Sequence, residues 1–234
     1  MAKTLKVKRK ELKHHISKFQ YTSLAANLSH ILVEDKNNKE AGYKVRSLYF
    51  DTYANTDYYQ KLAGSKNRKK IRLRIYNHDD KMVKLEIKRK YNDSQEKQTV
   101  VISREDAQAL IDLNYDVLLK YKSDTAMTIY NIMKTNHLRP VVLIEYRRKA
   151  FIHKMNNIRI TLDSDIRANE SKFDFFEKDP VLMPTSFYYE AVLEVKFNNF
   201  IYKWITDVFK QYDLERQSFS KYNSSRKLFE SYMG

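Results

Sequence analysis

The chain of 234 residues has no cysteine and only three glycines. Without cysteine it can form no disulfide bond, zinc–thiolate centre or thiol nucleophile, which fits a reducing compartment and predicts a cytoplasmic location. Phosphate-binding loops of the P-loop and dinucleotide types need several glycines in one loop, so that the backbone can approach phosphate oxygens. Gly42, Gly64 and Gly234 lie too far apart in the sequence for such a loop. Any bound phosphate must therefore be held mainly by side-chain cations.

Long apolar runs and linkers are also missing. The densest apolar run is Val141–Ile144, so the sequence predicts no transmembrane helix and no secretory signal. The basic segment Lys3–Lys13 has no apolar segment behind it and is interpreted as a charged first strand. Since no stretch rich in proline, glycine or serine interrupts the chain, residues 1–234 are predicted to form a single domain.

Charge is plentiful and unbalanced. Lysine and arginine number 44 against 29 aspartates and glutamates, for a formal net charge of +15. An excess of this size indicates an anionic partner: a nucleic acid, an anionic membrane surface, or a phosphate-rich molecule or polymer. A basic surface that only keeps the protein in solution is the alternative.

Two segments carry the clearest pattern, Arg68–Tyr76 and Met82–Lys90, in which charged and apolar residues alternate. Side chains of a strand point alternately to its two faces, so each segment predicts a strand with one charged and one mostly apolar face. The charged positions are Arg68, Lys70, Arg72 and Arg74 in the first segment and Lys84, Glu86, Lys88 and Lys90 in the second.

The rest of the chain predicts about eight strands in all, mostly antiparallel and interrupted by helices. The other predicted strands are Leu5–His15, Tyr43–Asp51, Lys97–Ser103, Val141–His153, Ile158–Ile166 and Tyr188–Phe197. The predicted helices run from an N-cap at Ser17 to Leu32, over Arg104–Leu113, Ser123–His137 and Asn199–Tyr212, and from Asn223 to the end.

A charged strand face is usually a solvated outer face. Against that, a Glu-x-Lys pattern recurs on three predicted strands, and cations at alternate positions of adjacent strands repel each other unless an anion lies between them. Helices packed on the apolar faces would leave the charged faces to line the interior of a closed sheet. We therefore predict an α+β fold: an eight-stranded antiparallel β-barrel tunnel with a polar, basic interior, flanked by helices. The three pairs are Glu11/Lys13, Glu86/Lys88 and Glu194/Lys196.

Eight motifs in one order carry a family resemblance that covers nearly the whole chain. The chain resembles the catalytic domain of the vacuolar transporter chaperone polyphosphate polymerases, within the triphosphate tunnel metalloenzyme superfamily. The motifs include Arg9-x-Glu11-x-Lys13, Tyr43-x-Val45-Arg46-Ser47-Leu48-Tyr49-Phe50-Asp51, Arg68-x-Lys70-Ile71-Arg72-Leu73-Arg74, Leu85-Glu86-Ile87-Lys88, Tyr146-x-Arg148, Arg159-Ile160-Thr161-Leu162-Asp163, Leu193-Glu194-Val195-Lys196 and Ser218-Phe219-Ser220-Lys221-Tyr222.

The resemblance implies a tunnel that binds ATP or another triphosphate, transfers the γ-phosphoryl group to inorganic polyphosphate, and uses Mn²⁺ or Mg²⁺. It implies that Glu194 is the metal ligand, and a salt bridge to a neighbouring lysine is the alternative for this residue. Glu11 and Glu86 are possible helpers, although for both an ion pair with lysine is at least as good an interpretation. It assigns catalytic roles to Arg72, Arg74, Lys88 and Lys221. The implied phosphate-binding residues are Lys13, Lys70, Arg72, Arg74, Lys88, Lys97, Arg148, Arg159, Lys196 and Lys221.

One departure bears on the reaction. The hydrolytic branch of the superfamily opens with Glu-x-Glu-x-Lys, whereas Arg9 stands at the first glutamate position here. One carboxylate fewer means less capacity for a second metal that activates water, which favours the polymerase branch. A triphosphate hydrolase with the same tunnel is the first alternative. A non-enzymatic nucleic-acid- or polyphosphate-binding protein is the second, but aromatic residues that could stack on bases are few in the basic strands, namely Tyr76 and Tyr91.

Overall fold

A computed structural model describes residues 9–77, 79–92, 94–186, 190–214, 216 and 219–230. Ten strands make up its antiparallel sheet, and helices flank it. The strands are β1 (Arg9–Ile16), β2 (Val33–Glu34), β3 (Tyr43–Asp51), β4 (Arg68–Tyr76), β5 (Asp79–Tyr91), β6 (Ser94–Ser103), β7 (Arg139–His153), β8 (Ile158–Asn169), β9 (Met183–Pro184) and β10 (Ala191–Asn198).

Six α-helices occur in the described part of the chain, with two short 3₁₀ segments, Tyr115–Lys120 and Met155–Asn157. Ser17 caps the first helix as predicted: its hydroxyl accepts from the Gln20 backbone, while the Gln20 side chain accepts from the Ser17 backbone. None of the described helices combines the length and apolar character that crossing a membrane requires. The helices are α1 (Lys18–Ile31), α2 (Thr56–Leu62), α3 (Arg104–Ile111), α4 (Asp124–Asn136), α5 (Lys203–Lys210) and α6 (Lys221–Glu230).

The predicted closed barrel of eight strands is not confirmed. The strands follow the order β1-β10-β8-β7-β3-β4-β5-β6, and among the described residues this order has two ends, β1 and β6, so the sheet is open. Eight strands lie on the path, and β2 and β9 pair with β7 and β8 beside it. Sequence alternation reveals long strands, but it carries no information on two-residue strands or on pairing between a first and a last strand.

The chain divides into two compact units. Unit 1 comprises 1–44, 146–166 and 186–220, and unit 2 comprises 45–145, 167–185 and 221–234. The single-domain prediction for 1–234 stays a prediction. The start of the strand predicted from Leu5, the turn residue His78 and the first residues of the strand predicted from Tyr188 lie outside the described residues.

Unit 2 has its core on one face of β3, β4 and β5. Leu48, Ile71, Leu73, Val83 and Leu85 are fully buried there. Residues of α3, α4 and the 3₁₀ segment after α3 pack in the same cluster, so these helices cover the apolar face. The other face of the same strands therefore carries the charged residues.

Unit 1 is built in the same way. Leu12, Ile160, Leu162, Leu193 and Val195 pack in its core. Leu24 and Leu28 of α1 and Ile205 of α5 cover that apolar face. The opposite faces of β1, β10 and β8 again carry the charged residues.

Candidate functional site

The charged face of unit 2 is named here the basic face: alternate residues of Arg68–Arg74 on β4, of Lys84–Lys90 on β5 and of Gln95–Thr99 on β6. Strand register aligns them in rows, because paired residues of antiparallel strands point to the same side. Over these residues the face carries eight cations and one carboxylate, Glu86. The rows are Arg68–Lys90–Gln95, Lys70–Lys88–Lys97, Arg72–Glu86–Thr99 and Arg74–Lys84.

Glu86 lies at the centre of this face and is 2% exposed. Arg72 donates to it from Nε and approaches it with Nη2, both at 2.7 Å. Lys97 also forms an ion pair with Glu86, and Nη1 of Arg74 is 3.9 Å away. One buried carboxylate thus orients two predicted catalytic arginines and one predicted phosphate-binding lysine.

Hydroxyl groups of β3 complete the orientation of the two arginines. Arg72 donates from Nη1 to the Tyr49 hydroxyl at 2.8 Å, and Arg74 donates from Nε to the Ser47 hydroxyl at 3.0 Å. Tyr49 and Ser47 are the residues paired with Arg72 and Arg74 in the sheet. The side chains of Arg72 and Arg74 are therefore held in place by protein contacts.

The cations lower the pKa values of two neighbouring side chains, Glu86 and Tyr49. Burial opposes ionisation of Glu86, yet the charges of Arg72, Arg74 and Lys97 outweigh it and lower its pKa to about 2. Burial likewise opposes ionisation of Tyr49, but Arg72, Arg74 and the more distant Lys221 lower the pKa of its hydroxyl. The site therefore has a surplus of positive charge that favours anions.

The start of α6 adjoins this face through the motif that contains Lys221. Lys70 lies 4.6 Å above the Tyr222 ring and donates to Asn223 at 3.3 Å. The Tyr222 hydroxyl donates to Asp51 at 2.5 Å, and Asp51 also accepts from the backbone of Asp57 and Tyr58 in α2. These bonds fix the first turn of α6, and with it Lys221. Ser218, the first residue of the motif, lies outside the described residues.

The charged face of unit 1 is named the mixed face, and its composition differs. Its rows are Glu11–Lys196–Arg159, Lys13–Glu194–Thr161 and His15–Val192–Asp163, and Arg148 of β7 reaches Asp163. Over these residues it carries four lysines and arginines and three carboxylates.

Glu194 is a buried carboxylate, 6% exposed, in the middle of the mixed face. Lys196 contacts its Oε1 at 2.5 Å, and Nη2 of Arg148 lies 4.0 Å from Oε2. Lys13 is its partner across the sheet. Burial opposes the charge on Lys13, but Glu194, Glu11 and Asp163 outweigh it and raise the pKa of the lysine.

Two predicted phosphate ligands of unit 1 are engaged in close ion pairs. Arg148 donates from Nε and Nη2 to the two oxygens of Asp163 at 2.6 and 2.7 Å, and Asp163 is fully buried. Arg159 donates to Asp35 at 2.6 Å and to the Tyr43 hydroxyl at 3.1 Å. The Arg148–Asp163 pair is forked and therefore strong, and a phosphate would have to share or displace these partners.

The comparisons with known proteins agree with the sequence motifs. The model of the VTC domain matches residues 8–230. The chain belongs to the VTC domain family. The comparison with curated proteins finds no match.

Solved structures of other proteins share the fold of this VTC domain. A proposed adenylyl cyclase of Hippeastrum with a dominant triphosphatase activity is similar at a TM-score of 0.56 and 13% identity, over 93% of this chain and 94% of the other. A proposed adenylate cyclase of Bacillus halodurans reaches a TM-score of 0.54 at 13% identity, over 91% and 95%. A third, from Vibrio parahaemolyticus, reaches 0.51 at 12% identity, over 92% and 96%. At such identities the likeness establishes the fold.

The carboxylates of this VTC domain show whether it can hold the divalent metal that the sequence motifs imply. Among the described residues there is no group of three or more histidines, aspartates and glutamates arranged to hold a metal ion. Mg²⁺ does not require such a cage, because it is commonly bound through one or two carboxylates plus substrate phosphates. Glu194 fits that role, because it is buried and lies on a polar face. Glu86 fits it less well, because Arg72 holds its Oε2 with both Nε and Nη2 at 2.7 Å.

Three side chains that orient the predicted ligands had been given no role from sequence: Tyr49, Asp35 and Asp51. Tyr49 and Asp51 belong to a quoted motif, and alternation along β3 places them on one face with Ser47. The pairing of β3 with β4 would then have assigned Tyr49 to Arg72. No comparable signal exists for Asp35, which lies in a loop and reaches Arg159 across 124 residues of sequence.

Proposed function

We propose that this VTC domain is an ATP-dependent polyphosphate polymerase whose basic face binds the triphosphate. The observation that supports the proposal most strongly is the charge of the basic face, which carries eight cations and one carboxylate on the strands β4 to β6. Cations of one row are about 5 Å apart across the strands and about 7 Å apart along them. A string of phosphates is the extended, highly charged anion that such a grid suits.

The chemistry asks the protein mainly for alignment and charge stabilisation. A terminal oxygen of the polyphosphate chain attacks the γ-phosphorus of ATP and forms a new P–O bond, while the bond to the bridging oxygen of the β-phosphate breaks and ADP leaves. Arg72 and Arg74 would hold the transferred group with their forked donors, since guanidinium matches phosphate geometry. Lys88 and Lys221 would add point charges as the other proposed catalytic residues.

The remaining roles follow the family motifs. Lys70 and Lys97 on the basic face, and Lys13, Arg148, Arg159 and Lys196 on the mixed face, are proposed phosphate-binding residues. Glu194 is the proposed ligand of Mn²⁺ or Mg²⁺, which when bound neutralises charge on phosphate oxygens. Glu11, paired with Lys13 at 2.7 Å, and Glu86 are the possible helpers.

Polymer synthesis is favoured over triphosphate hydrolysis by Arg9, which replaces a carboxylate in the opening motif. Nucleic-acid binding is disfavoured by the burial of two aromatic rings beside the basic face, whereas Tyr91, at the end of β5, is 51% exposed. Tyr49 and Tyr222 are 7% and 2% exposed, so neither offers an open ring for a base to stack on.

The test is incubation of the protein with ATP and Mn²⁺, followed by a gel stained for polyphosphate and an assay for orthophosphate. Polymer with little orthophosphate supports the proposal. Orthophosphate without polymer would identify a triphosphate hydrolase instead. Tight binding of polyphosphate with neither product would leave a binding protein.

A further inference from the structure

A group of exposed apolar side chains lies in unit 1, apart from its charged face and its core. Met155, Phe200 and Trp204 are 65%, 55% and 43% exposed. They are contributed by the connection between β7 and β8 and by the segment that leads from β10 into α5. Together with His153 and Tyr202 they are named here the aromatic tip.

The rings of the aromatic tip pack on one another. Tyr202 stacks on Trp204 with centroids 6.2 Å apart, and His153 contacts both rings edge-on at 5.3 and 5.6 Å. Phe200 meets Tyr202 edge-on at 5.4 Å. These contacts hold the rings as one ordered surface.

The backbone of the tip is also fixed. The Asn156 side chain donates to the carbonyl oxygen of Phe200 at 3.2 Å and joins the two segments. Asn156, Asn157 and Asn199 adopt positive φ angles of 56°, 46° and 57°. Asparagine tolerates this conformation better than most residues, which suits the sharp turns that present Met155 and Phe200.

Of the tip, Tyr202 packs against the core of unit 1, whereas Met155, Phe200 and Trp204 are not part of that core. Ile205 is fully buried in the core, with Val208 and Phe209 partly buried beside it, whereas the neighbouring Trp204 remains exposed. A contiguous exposed apolar surface on a folded protein commonly marks an interaction site.

Two exposed lysines neighbour residues of the tip in the sequence. Lys154 lies between His153 and Met155 and is exposed, and Lys203, next to Trp204, has a side chain that is 86% exposed. Asp207 is the nearby carboxylate of α5, and it is shared by Lys203 and Lys210 at 3.5 and 2.8 Å.

From this arrangement we propose that the aromatic tip attaches the protein peripherally to a membrane surface rich in anionic lipid headgroups. Tryptophan and tyrosine favour the boundary between headgroups and acyl chains, and lysines beside them are attracted to anionic lipid. The two lysines complement such a surface, which is the reason for assigning the tip to lipid and not to a second protein. The inference does not depend on the proposed polymerase activity.

The experiment uses the full chain, in which Trp204 is the only tryptophan, so that its fluorescence reports on the tip alone. Vesicles of phosphatidylcholine with phosphatidylserine should shift the emission to shorter wavelength and sediment the protein. Pure phosphatidylcholine vesicles should do so much less. Inorganic polyphosphate should cause no such shift, because it would bind the basic face without burying Trp204.

Variants decide whether the tip is responsible. The double substitution Phe200→Ser with Met155→Ser should lower vesicle affinity about tenfold or more, because both side chains would enter the lipid boundary. Phe19→Ser is the matched control, since Phe19 is 77% exposed on α1 of the same unit. Lys203→Ala should weaken binding mainly at low salt.

Several results would overturn the proposal. One is equal vesicle binding by the double variant and the unchanged protein. Another is an emission shift that is equal with both vesicle compositions. A third is an absence of lipid binding together with concentration-dependent dimerisation that the double variant abolishes, which would identify a second copy of the chain as the occupant.

Discussion

The basic face and the mixed face have the same construction but carry very different net charges. Each is the polar side of antiparallel strands whose apolar side is covered by helices. The basic face has eight cations to one carboxylate, and the mixed face has four to three. The surplus of cations on the basic face attracts an anion. On the mixed face the cations and carboxylates are nearly equal in number and form ion pairs with one another, so a ligand must replace a partner in one of these pairs.

The role of a carboxylate differs accordingly. Glu86 is outnumbered by Arg72, Arg74 and Lys97, so it organises cations and remains ionised far into acid. Asp163 has a two-point bond to Arg148, and Glu194 has a close contact with Lys196. The mixed face is thus the better place for a carboxylate that must exchange a lysine for a metal ion, and the basic face the better place for phosphate.

The largest expected effect concerns this difference directly. Glu194→Gln removes the charge of the proposed metal ligand with almost no change of volume. We expect Mn²⁺-dependent polyphosphate synthesis to fall about a thousandfold, since a bound metal supplies several kcal/mol of transition-state stabilisation. Steady-state synthesis from ATP measures it, with a thermal melt to confirm folding.

Asp165→Asn is the matched control for that substitution. Asp165 is exposed on β8 and has a positive φ of 51°, a conformation that asparagine tolerates. It should change the rate little. Unchanged activity of Glu194→Gln would show that Glu194 is not the metal ligand and would remove the functional contrast between the two faces.

The second prediction tests the basic face. Arg74→Ala and Arg72→Ala should each lower kcat about a hundredfold, the range seen for lost electrostatic donors. Arg74→Lys should recover only part of the loss, because an ammonium restores the charge without the fork. Steady-state synthesis is again the measurement.

Arg89→Ala is the control, because Arg89 alternates with Lys88 and lies on the opposite side of β5. It should be nearly silent. A loss as large as that of Arg74→Ala would mean that the assignment of strand faces is wrong.

Much of this contrast could be predicted from sequence, because alternation is local. The bounds predicted for β3 and β4 agree with the structure, and the apolar sides of β4 and β5 are buried as expected. The cap of α1 was readable for the same reason: Ser17 and Gln20 are three residues apart. Whether the sheet closes into a barrel could not be predicted, because closure depends on which strands that are distant in sequence pair with each other.

The ion-pair and hydrogen-bond partners of the site residues could not be predicted from the sequence either. Arg148 meets Asp163 and Arg159 meets Asp35 only through strand register and loop placement. The sequence therefore predicts which residues are charged and which face they share, but not how much of that charge is already paired. The pairing within the two faces is therefore visible only in the structure.

The third prediction concerns the stability that Glu86 contributes. Its pKa of about 2 lies below the ordinary 4.5, so the ionised carboxylate stabilises the fold above pH 4.5 by about 3 kcal/mol. That contribution should be lost as the pH falls from 4.5 towards 2. Denaturant unfolding across this range should show a slope that Glu86→Gln lacks.

Glu96→Gln, on an exposed position of the neighbouring β6, should keep the slope of the unchanged protein. If the Glu86→Gln variant also keeps the dependence of unfolding free energy on pH, ionised Glu86 does not offset the repulsion among the cations of the basic face.

The smallest expected effect is a change in stability at Asp57, a carboxylate outside the basic face. Asp57 is a buried carboxylate of the same unit, 1% exposed, and it lies on α2. Its burial raises its pKa to about 6, and the charge of Lys69, 2.8 Å away, only partly offsets this. Within the described residues its Oδ2 has no hydrogen-bond partner. The sign is therefore opposite to that of Glu86: the folded protein holds a proton that the unfolded chain releases, so stability falls as the pH rises from 3.8 towards 6.

Asp57→Asn should remove this slope and raise the free energy of unfolding at pH 7 by about 1 to 3 kcal/mol. Asp116→Asn is the comparison, an exposed aspartate of unit 2 paired with Lys134, and it should be nearly neutral. Denaturant unfolding at pH 4, 5.5 and 7 distinguishes the two. A loss of stability at pH 7 in Asp57→Asn would show that its ion pair with Lys69 outweighs burial, and that strong compensation by cations extends beyond the basic face.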